Sequence, residues 1–160
     1  METADKVGAN VADRLVNPED TSLCMKFHIR GMDFASGGEA SARIRGVCVQ
    51  LGLPASVTRR VAIVTYEAEM NIVIHAIRGT LQATITPEQV EIEAVDQGPG
   101  IPDIDRAMEE GFSTAPPSVR EMGFGAGMGL PNIKAHSDAL TIESVVGVGT
   151  RVHSVILVGQ

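Results

Sequence analysis

A glutamate, an asparagine and a histidine recur at helical spacing in the most apolar long run of the chain, VAIVTYEAEMNIVIHAI (61–77). Glu67, Asn71 and His75 are each one helical turn apart, so a helix would place them on one face. There a carboxylate can accept a proton, and an amide oxygen can coordinate a hard cation such as Mg²⁺. The same spacing also fits the solvated side of an amphipathic helix, in which His75 would be a packed or capping residue. The helix alone leaves both interpretations open.

A second polar group follows a predicted strand in AVDQGPGIPD (94–103). Asp96 would lie at the end of that strand, and Gly98 and Gly100 would permit a sharp turn that brings the backbone close to a ligand. Aspartate and glycine are common in any turn, so the D-x-G-x-G pattern is weak evidence by itself.

The segment EMGFGAGMGLPNIKAH (121–136) has glycine at every second position of one stretch, at Gly123, Gly125, Gly127 and Gly129. Glycine weakens a strand and costs roughly 1 kcal/mol at each position inside a helix, so neither element explains the pattern. Inward-facing backbone N–H groups before a helix, with Pro131 in its first turn, would bind phosphate. No Lys-Ser/Thr pair follows the last glycine, which excludes a Walker A loop. A merely flexible loop is the alternative.

The elements that would position these residues are predicted in the order βααββ–loop–αββ, from the alternation and the helical periodicity of apolar residues. They are a strand at 22–31, helices at 35–53 and from Pro54 onward, a hairpin at 79–96, a helix at 130–137 and a closing hairpin at 139–158. Residues 97–126 predict a long loop of the kind that forms lids and binding loops. This order favours an α+β fold, a two-layer sandwich with helices on one face of the sheet.

Composition limits the class of protein. The 160 residues are 44% hydrophobic and 21% charged, which predicts one globular domain (21–160) after a flexible polar leader (1–20). No signal peptide or membrane span is evident, and two distant cysteines show no metal-binding spacing, so we expect a cytoplasmic location. The net charge is −7, and residues 88–110 alone hold eight acids and one base. Without a basic stripe, binding to nucleic acid is not expected, nor is binding to a membrane.

In chain order the patterns are E-x-x-x-N, D-x-G-x-G, a lid of some twenty residues, G-x-G-x-G and a final G-x-G-T at 147–150. This ordered set resembles the GHKL ATPase superfamily, which includes gyrase, heat-shock chaperone, histidine kinase and mismatch-repair ATPases. It is most similar to the small bacterial anti-sigma-factor serine/threonine kinases, above all in GPGIPDIDRAMEEGFST and in MGLPNIK…SDALTIESVVGVGT. The resemblance covers about 22–158 and implies a Bergerat-type ATP-binding fold with a mixed, mostly antiparallel sheet.

The resemblance also implies a role for each motif. Glu67 would be the general base, and Asn71 would coordinate a Mg²⁺ that bridges the ATP phosphates. Asp96 would accept a hydrogen bond from the adenine amino group, and the lid arginine Arg120 would reach the terminal phosphate. The lid would span 102–122. The implied nucleotide-contacting residues are Asn71, Asp96, Gly98, Gly100, Ile101, Ser113, Thr114, Gly123, Gly125, Gly127, Met128, Gly129, Leu130 and Thr150.

Three functions fit these motifs. The first is an ATP-dependent serine/threonine kinase of the anti-sigma type, which acts as a partner switch in transcription or stress response. Its implied partners are an antagonist of the STAS type or a sigma factor, with a homodimer possible. The second is a nucleotide-gated protein-binding module without phosphotransfer, against which Glu67 argues because a pure binder needs no carboxylate beside the phosphates. The third is a histidine-kinase ATPase domain, which usually has asparagine where this chain has Glu67.

Overall fold

The order of helices and strands follows the predicted pattern closely. The computed structural model describes residues 21–159 and the backbone of 15–16. Its elements are β1 (Leu15–Val16), β2 (Leu23–Arg30), α1 (Glu39–Gln50), α2 (Ala55–His75), β3 (Arg78–Ile85), β4 (Gln89–Gln97), α3 (Ile104–Ala107), α4 (Pro117–Glu121), α5 (Gly129–Ala135), β5 (Ala139–Val145) and β6 (Gly149–Leu157). None of the described helices is long and apolar enough to cross a membrane.

The strands form one sheet in the order β1-β2-β3-β4-β6-β5. Every pairing is antiparallel in the described part of the chain. Both predicted hairpins are present, and the closing hairpin joins the first one through β4 and β6, with Ile92 opposite Ser154. The predicted two-layer α+β sandwich is confirmed, although none of the described pairs is parallel.

Alternation along the strands decides which face of the sheet the helices cover. In β2, Met25, Phe27 and Ile29 are buried while the residues between them are exposed. A strand turns successive side chains to opposite faces, so these three share the face on which the helices pack. The opposite face is polar, and on it Arg151 of β6 pairs with Glu93 of β4 at 2.6 Å. The core therefore lies between one face of the sheet and the helices.

Helix α2 occupies the centre of the helical layer, where it packs against α1, α5 and the sheet. Its apolar side is completely buried, including Val61, Val64, Ala68 and Ile72. These residues recur at three- and four-residue intervals, which is the periodicity of one helix face. Burial of this face fixes the rotation of α2 about its own axis.

A buried carboxylate attaches α1 to α2. Glu69 is only 1% exposed. Its Oε1 accepts hydrogen bonds from the backbone N–H groups of Gly38 (3.0 Å) and Ala40 (3.2 Å), and its Oε2 accepts one from Ser41 (3.0 Å). These donors lie at the N-terminus of α1, where N–H groups have no partner within the helix. The glutamate of one helix thus caps the other.

The structure corrects three expectations from the sequence. Residues 97–126 are not one irregular loop, because α3 and α4 form within them. Helix α2 begins at Ala55, with Pro54 as the capping residue before it rather than inside its first turn. Within the predicted flexible leader, residues 15–16 pair with β2; the rest of that leader lies outside the described residues.

We expect Glu69→Gln to lower the free energy of unfolding by about 2–4 kcal/mol. The amide has nearly the same shape, but it removes the charge and turns N–H donors toward backbone N–H donors. Urea unfolding followed by circular dichroism measures the change. Glu39→Gln is the control, because Glu39 is exposed in the first turn of the same helix, and we expect it to cost less than ~1 kcal/mol. Equal effects of the two substitutions would contradict the capping role.

Candidate functional site

Fourteen of the predicted site residues surround one cavity of about 530 Å³ between α2, the end of β4 and the glycine-rich segment. A volume of this size is typical of sites for small-molecule ligands and cofactors. The fourteen are Glu67, Asn71, Asp96, Gly100, Ile101, Ser113, Thr114, Gly123, Gly125, Gly127, Met128, Gly129, Leu130 and Thr150. Gly98 and Arg120 are the two predicted residues that do not line it.

Glu67 and Asn71 lie one turn apart on α2 and meet the start of α5. A methyl group placed on Gly129 would lie 3.1 Å from Asn71 Oδ1 and 3.4 Å from Glu67 Oε2. The backbone at Gly129 therefore packs against both side chains, and any larger residue there would push them aside. The described residues leave the Asn71 carboxamide without a hydrogen bond. A carboxylate and a free amide oxygen thus face the point where the glycine-rich segment ends.

Asn132 is a site residue that the sequence did not reveal. Its Nδ2 donates a hydrogen bond to Glu67 Oε1 at 3.1 Å. Because Oε1 is held in this way, the second oxygen, Oε2, is the one left to accept a proton. Asn132 lies in the first turns of α5, and nothing in the local pattern GLPNIK indicates that this helix crosses α2 at Glu67.

The glycine-rich segment adopts a conformation that side chains would prevent. Gly127 has φ +79°, and a Cβ there would lie 2.5 Å from the Gly111 carbonyl carbon and 2.6 Å from the Phe112 oxygen. The N–H groups of residues 125–128 donate no hydrogen bond within the described part of the chain. Since α5 has only seven residues, these N–H groups, rather than a helix dipole, are what the segment offers to an anion.

Asp96 lies at the opposite end of the cavity, at the end of β4. Its Oδ1 accepts a hydrogen bond from the Thr150 N–H at 3.2 Å. Burial raises the pKa of the Asp96 carboxyl, and the hydrogen bond from Thr150 lowers it to a smaller extent. Oδ2 has no hydrogen-bond partner among the described residues, so it can accept one from a ligand.

Three glycines from separate parts of the chain make room for Asp96. A Cβ on Gly79 would lie 3.1 Å from the Asp96 side chain, and one on Gly98 would lie 3.0 Å from Oδ1. A Cβ on Gly149 would overlap the Asp96 carbonyl oxygen. Gly98 thus has a place at the site without lining the cavity, because it packs against the carboxylate from behind.

The hydroxyl of Thr150 is not directed at Asp96. Its Oγ1 is 2.8 Å from Ser144 Oγ. Ser144 Oγ in turn accepts a hydrogen bond from the Ile101 N–H at 2.7 Å. In the turn that follows β4, Gly100 has φ +74°, and a Cβ at this position would overlap the Val145 carbonyl oxygen. These contacts hold the turn after β4 against the β5–β6 hairpin.

The predicted lid, residues 102–122, has its own anchors. Ala115 and Val119 are buried, and the Gly111 N–H donates a hydrogen bond to the Gly127 carbonyl at 3.0 Å. Arg106 lies over the Phe112 ring, 4.6 Å from its centre. The lid is therefore folded over the cavity and attached to the glycine-rich segment.

Arg120 does not lie at the cavity in this structure. It is exposed in α4, and its Nη2 donates a hydrogen bond to the Ser113 carbonyl at 2.6 Å. Arg120 thus links two parts of the lid. The lid would have to change its conformation before Arg120 could contact a ligand in the cavity.

His75, the third member of the helical series, lines the cavity and is the last residue of α2.

The residues present fit a magnesium ion that takes only one or two of its ligands from the protein. Asn71 offers an amide oxygen and Glu67 a carboxylate, both hard oxygen ligands. Nowhere in residues 21–159 do three His, Cys, Asp or Glu side chains converge on one point where they could hold a metal. Mg²⁺ commonly takes one or two protein ligands and completes its shell with phosphates and water.

Comparison with known proteins is consistent with this site. Residues 56–159 match the family described as histidine kinase-, DNA gyrase B-, and HSP90-like ATPase. The chain is 34% identical over 115 residues to the serine/threonine-protein kinase RsbT of Bacillus subtilis. The aligned region covers 69% of this chain and 80% of that protein. It is 34% identical over 99 residues to the anti-sigma F factor of Caldanaerobacter subterraneus, covering 59% of this chain and 66% of that one.

We expect Asp96→Asn to raise the melting temperature of the ligand-free protein at pH 7 by up to about 4 °C, which corresponds to no more than ~1 kcal/mol. Burial penalises the charged carboxylate, whereas an asparagine oxygen can still accept from Thr150. A raised native pKa means that the wild-type protein recovers stability as the pH falls through that pKa, so the advantage of the variant shrinks in acid. Calorimetric scans from pH 7 downward measure how the difference in melting temperature between the variant and the wild type depends on pH. A lower melting temperature at pH 7 would contradict it.

Proposed function

Because the chain belongs to the family of histidine kinase-, DNA gyrase B- and HSP90-like ATPases, we propose that it is an ATP-dependent serine/threonine kinase. Its substrate is a hydroxyl group on a partner protein. The observation that carries the proposal is the position of Glu67, a carboxylate with one free oxygen beside Asn71 and the end of the glycine-rich segment. A protein that only bound nucleotide would have no use for a base at that point.

The cavity accommodates ATP in one direction. Asp96 Oδ2 accepts from the adenine amino group at one end, and the free N–H groups of residues 125–128 bind the phosphates at the other. The lid covers the nucleotide and excludes water from the phosphates. When bound, Mg²⁺ offsets the negative charge of the phosphates, and Asn71, with Glu67 beside it, is the residue to hold it.

The chain's own residues then promote transfer of the terminal phosphate. Glu67 orients the serine or threonine hydroxyl of the partner and accepts its proton as the oxygen attacks the terminal phosphorus. The bond from that phosphorus to the bridging oxygen of ADP breaks, and ADP leaves. Asn132 keeps Glu67 in the orientation that presents Oε2. Positioning and electrostatic stabilisation supply most of the catalysis in reactions of this kind.

The partner belongs to a regulatory switch. Relatives named as a serine/threonine kinase and as anti-sigma factors indicate a function exercised through other proteins. We propose that the partner is an antagonist protein of the STAS type or a sigma factor, and that the chain changes partners with its nucleotide or with the phosphorylation of its substrate. A homodimer is compatible with this function.

Glu67→Gln tests the base. The amide keeps an oxygen that can accept from Asn132 but cannot take a proton, so we expect phosphotransfer or ATP hydrolysis to fall at least ~10²-fold. Affinity for ATP should stay within about tenfold of the wild type. Single-turnover transfer from labelled ATP and calorimetric titration measure the two quantities. Asn71→Ala should weaken both. Wild-type turnover in Glu67→Gln would show that Glu67 is not the base, and absence of turnover in the wild type with any partner would favour a binding module.

Asn132→Ala tests the positioning of that base. We expect kcat to fall about tenfold while KM for ATP changes less than about threefold, because the carboxylate loses its orientation and the nucleotide loses no contact. The melting temperature should change little, since Asn132 is only partly buried. Lys134→Ala is the control on the exposed side of the same helix. A rise in KM without a fall in kcat would assign Asn132 to nucleotide binding instead.

A further inference from the structure

A second cavity, of about 660 Å³, lies on the outer surface of the two long helices, outside the nucleotide cavity. It is an open groove between α1 and α2. Its floor and walls are largely apolar and include Val49, Leu53, Ala62, Ile63 and Tyr66. Val49 is 58% exposed and Tyr66 is 40% exposed. An apolar groove between two helices is a common docking place for an amphipathic helix.

Two arginines without partners border the groove. Arg45 of α1 and Arg59 of α2 both line it, and both are exposed. Within residues 21–159 neither forms an ion pair or a hydrogen bond, whereas the adjacent Arg60 pairs with Asp138 at 2.9 Å. In a protein with a net charge of −7, two free cations beside an apolar groove favour an acidic occupant.

An unsatisfied hydroxyl lies beneath the groove. Thr58 is 6% exposed and lines the groove. Its Oγ1 has no hydrogen-bond partner among the described residues. Leaving a buried hydroxyl unpaired is destabilising. Because the Oγ1 atom itself has no accessible surface, Thr58 belongs to the packed layer beneath the groove, and an occupant cannot reach its hydroxyl.

The groove continues into the nucleotide site. Tyr66 and Glu67 line both the groove and the nucleotide cavity. An occupant of the groove therefore has one end next to Glu67, whose Oε2 is the oxygen that Asn132 leaves free. This continuity connects a docking surface to the position at which the hydroxyl of a protein substrate has to arrive.

We propose that this groove binds an acidic amphipathic helix of the protein that is phosphorylated. The proposal rests on the kinase function proposed above and adds to it the place and the chemistry of docking. Carboxylates of the helix pair with Arg45 and Arg59, and its apolar side chains lie on Val49 and Ile63. The end of the helix then presents its hydroxyl to Glu67.

Two synthetic peptides of about 14 residues, each a helix of roughly 20 Å, test the docking step. Both carry the same leucines on one face and a serine at each end, and their polar positions are all glutamate in one and all lysine in the other. Fluorescence anisotropy measures their binding to the full chain with a non-hydrolysable ATP analogue. We expect the glutamate peptide to bind at least tenfold more tightly, with the difference decreasing at high salt. Equal affinities, or no binding, would overturn the proposal.

Matched variants locate the binding. Arg45→Glu and Arg59→Glu should each weaken the glutamate peptide about five- to tenfold, whereas Arg30→Glu, an equal change of charge at an exposed position on the open face of the sheet, should not. Thr58→Val, a change beneath the groove, should leave the peptide affinity within about twofold of the wild type and the melting temperature unchanged or higher, because it removes an unpaired hydroxyl that the peptide cannot reach. Equal effects of Arg30→Glu and Arg59→Glu would mean that only the overall charge matters, which contradicts a defined groove.

Other occupants give different results. Peptide binding that appears only after deletion of residues 1–14 would assign the groove to the chain's own N-terminal segment. A change of oligomeric state in Arg59→Glu, measured by sedimentation without a change in peptide affinity, would assign it to a second copy of the chain. Either result overturns the proposal. Binding of the glutamate peptide without phosphorylation of its serines, under conditions that support ATP hydrolysis, would support the groove and count against the proposed kinase function.

Discussion

The rotation of α2 about its axis is the constraint on which the site depends. Its apolar face, which includes Val64 and Ile72, is buried against the sheet, and Glu69 is held by three N–H groups of α1. Side chains two residues apart on a helix point about 160° apart. With Glu69 directed at α1, Glu67 is directed away from it, toward α5 and the glycine-rich segment. Core packing and one buried carboxylate therefore aim the proposed base.

The parts of the fold that could be predicted from the sequence are those with a local cause. Alternation marks β2 and the two hairpins, and helical periodicity marks α1 and α2. The spacing of Glu67 and Asn71 places both on one face without knowledge of the partner surface. Signals for α3 and α4 were also present, since Asp103 caps the first and Pro117 begins the second. The density of glycine and proline around them concealed both helices.

The parts that could not be predicted depend on contacts between distant segments. Asn132 reaches Glu67 from a position 65 residues further along the chain, and no local pattern records that approach. The local sequence around Glu69 does not indicate its capping role, because its partners belong to another helix. Arg120 has the position in the lid from which the resemblance implies a contact with the terminal phosphate, yet in this structure it donates a hydrogen bond to the lid carbonyl of Ser113. The pairing of β4 with β6 likewise follows from packing of the whole sheet.

The proposed function requires the cavity to bind ATP with adenine at Asp96 and phosphates at residues 125–128. Calorimetric titration of the wild type and of Asp96→Asn with ATP and with GTP tests it most directly. We predict micromolar binding of ATP by the wild type, at least tenfold weaker binding of GTP, and a loss of about 30-fold or more in ATP affinity for Asp96→Asn, equivalent to ~2 kcal/mol. The amide can turn a donor toward the adenine amino group, whereas the carboxylate only accepts. Unchanged ATP affinity in Asp96→Asn would contradict the account.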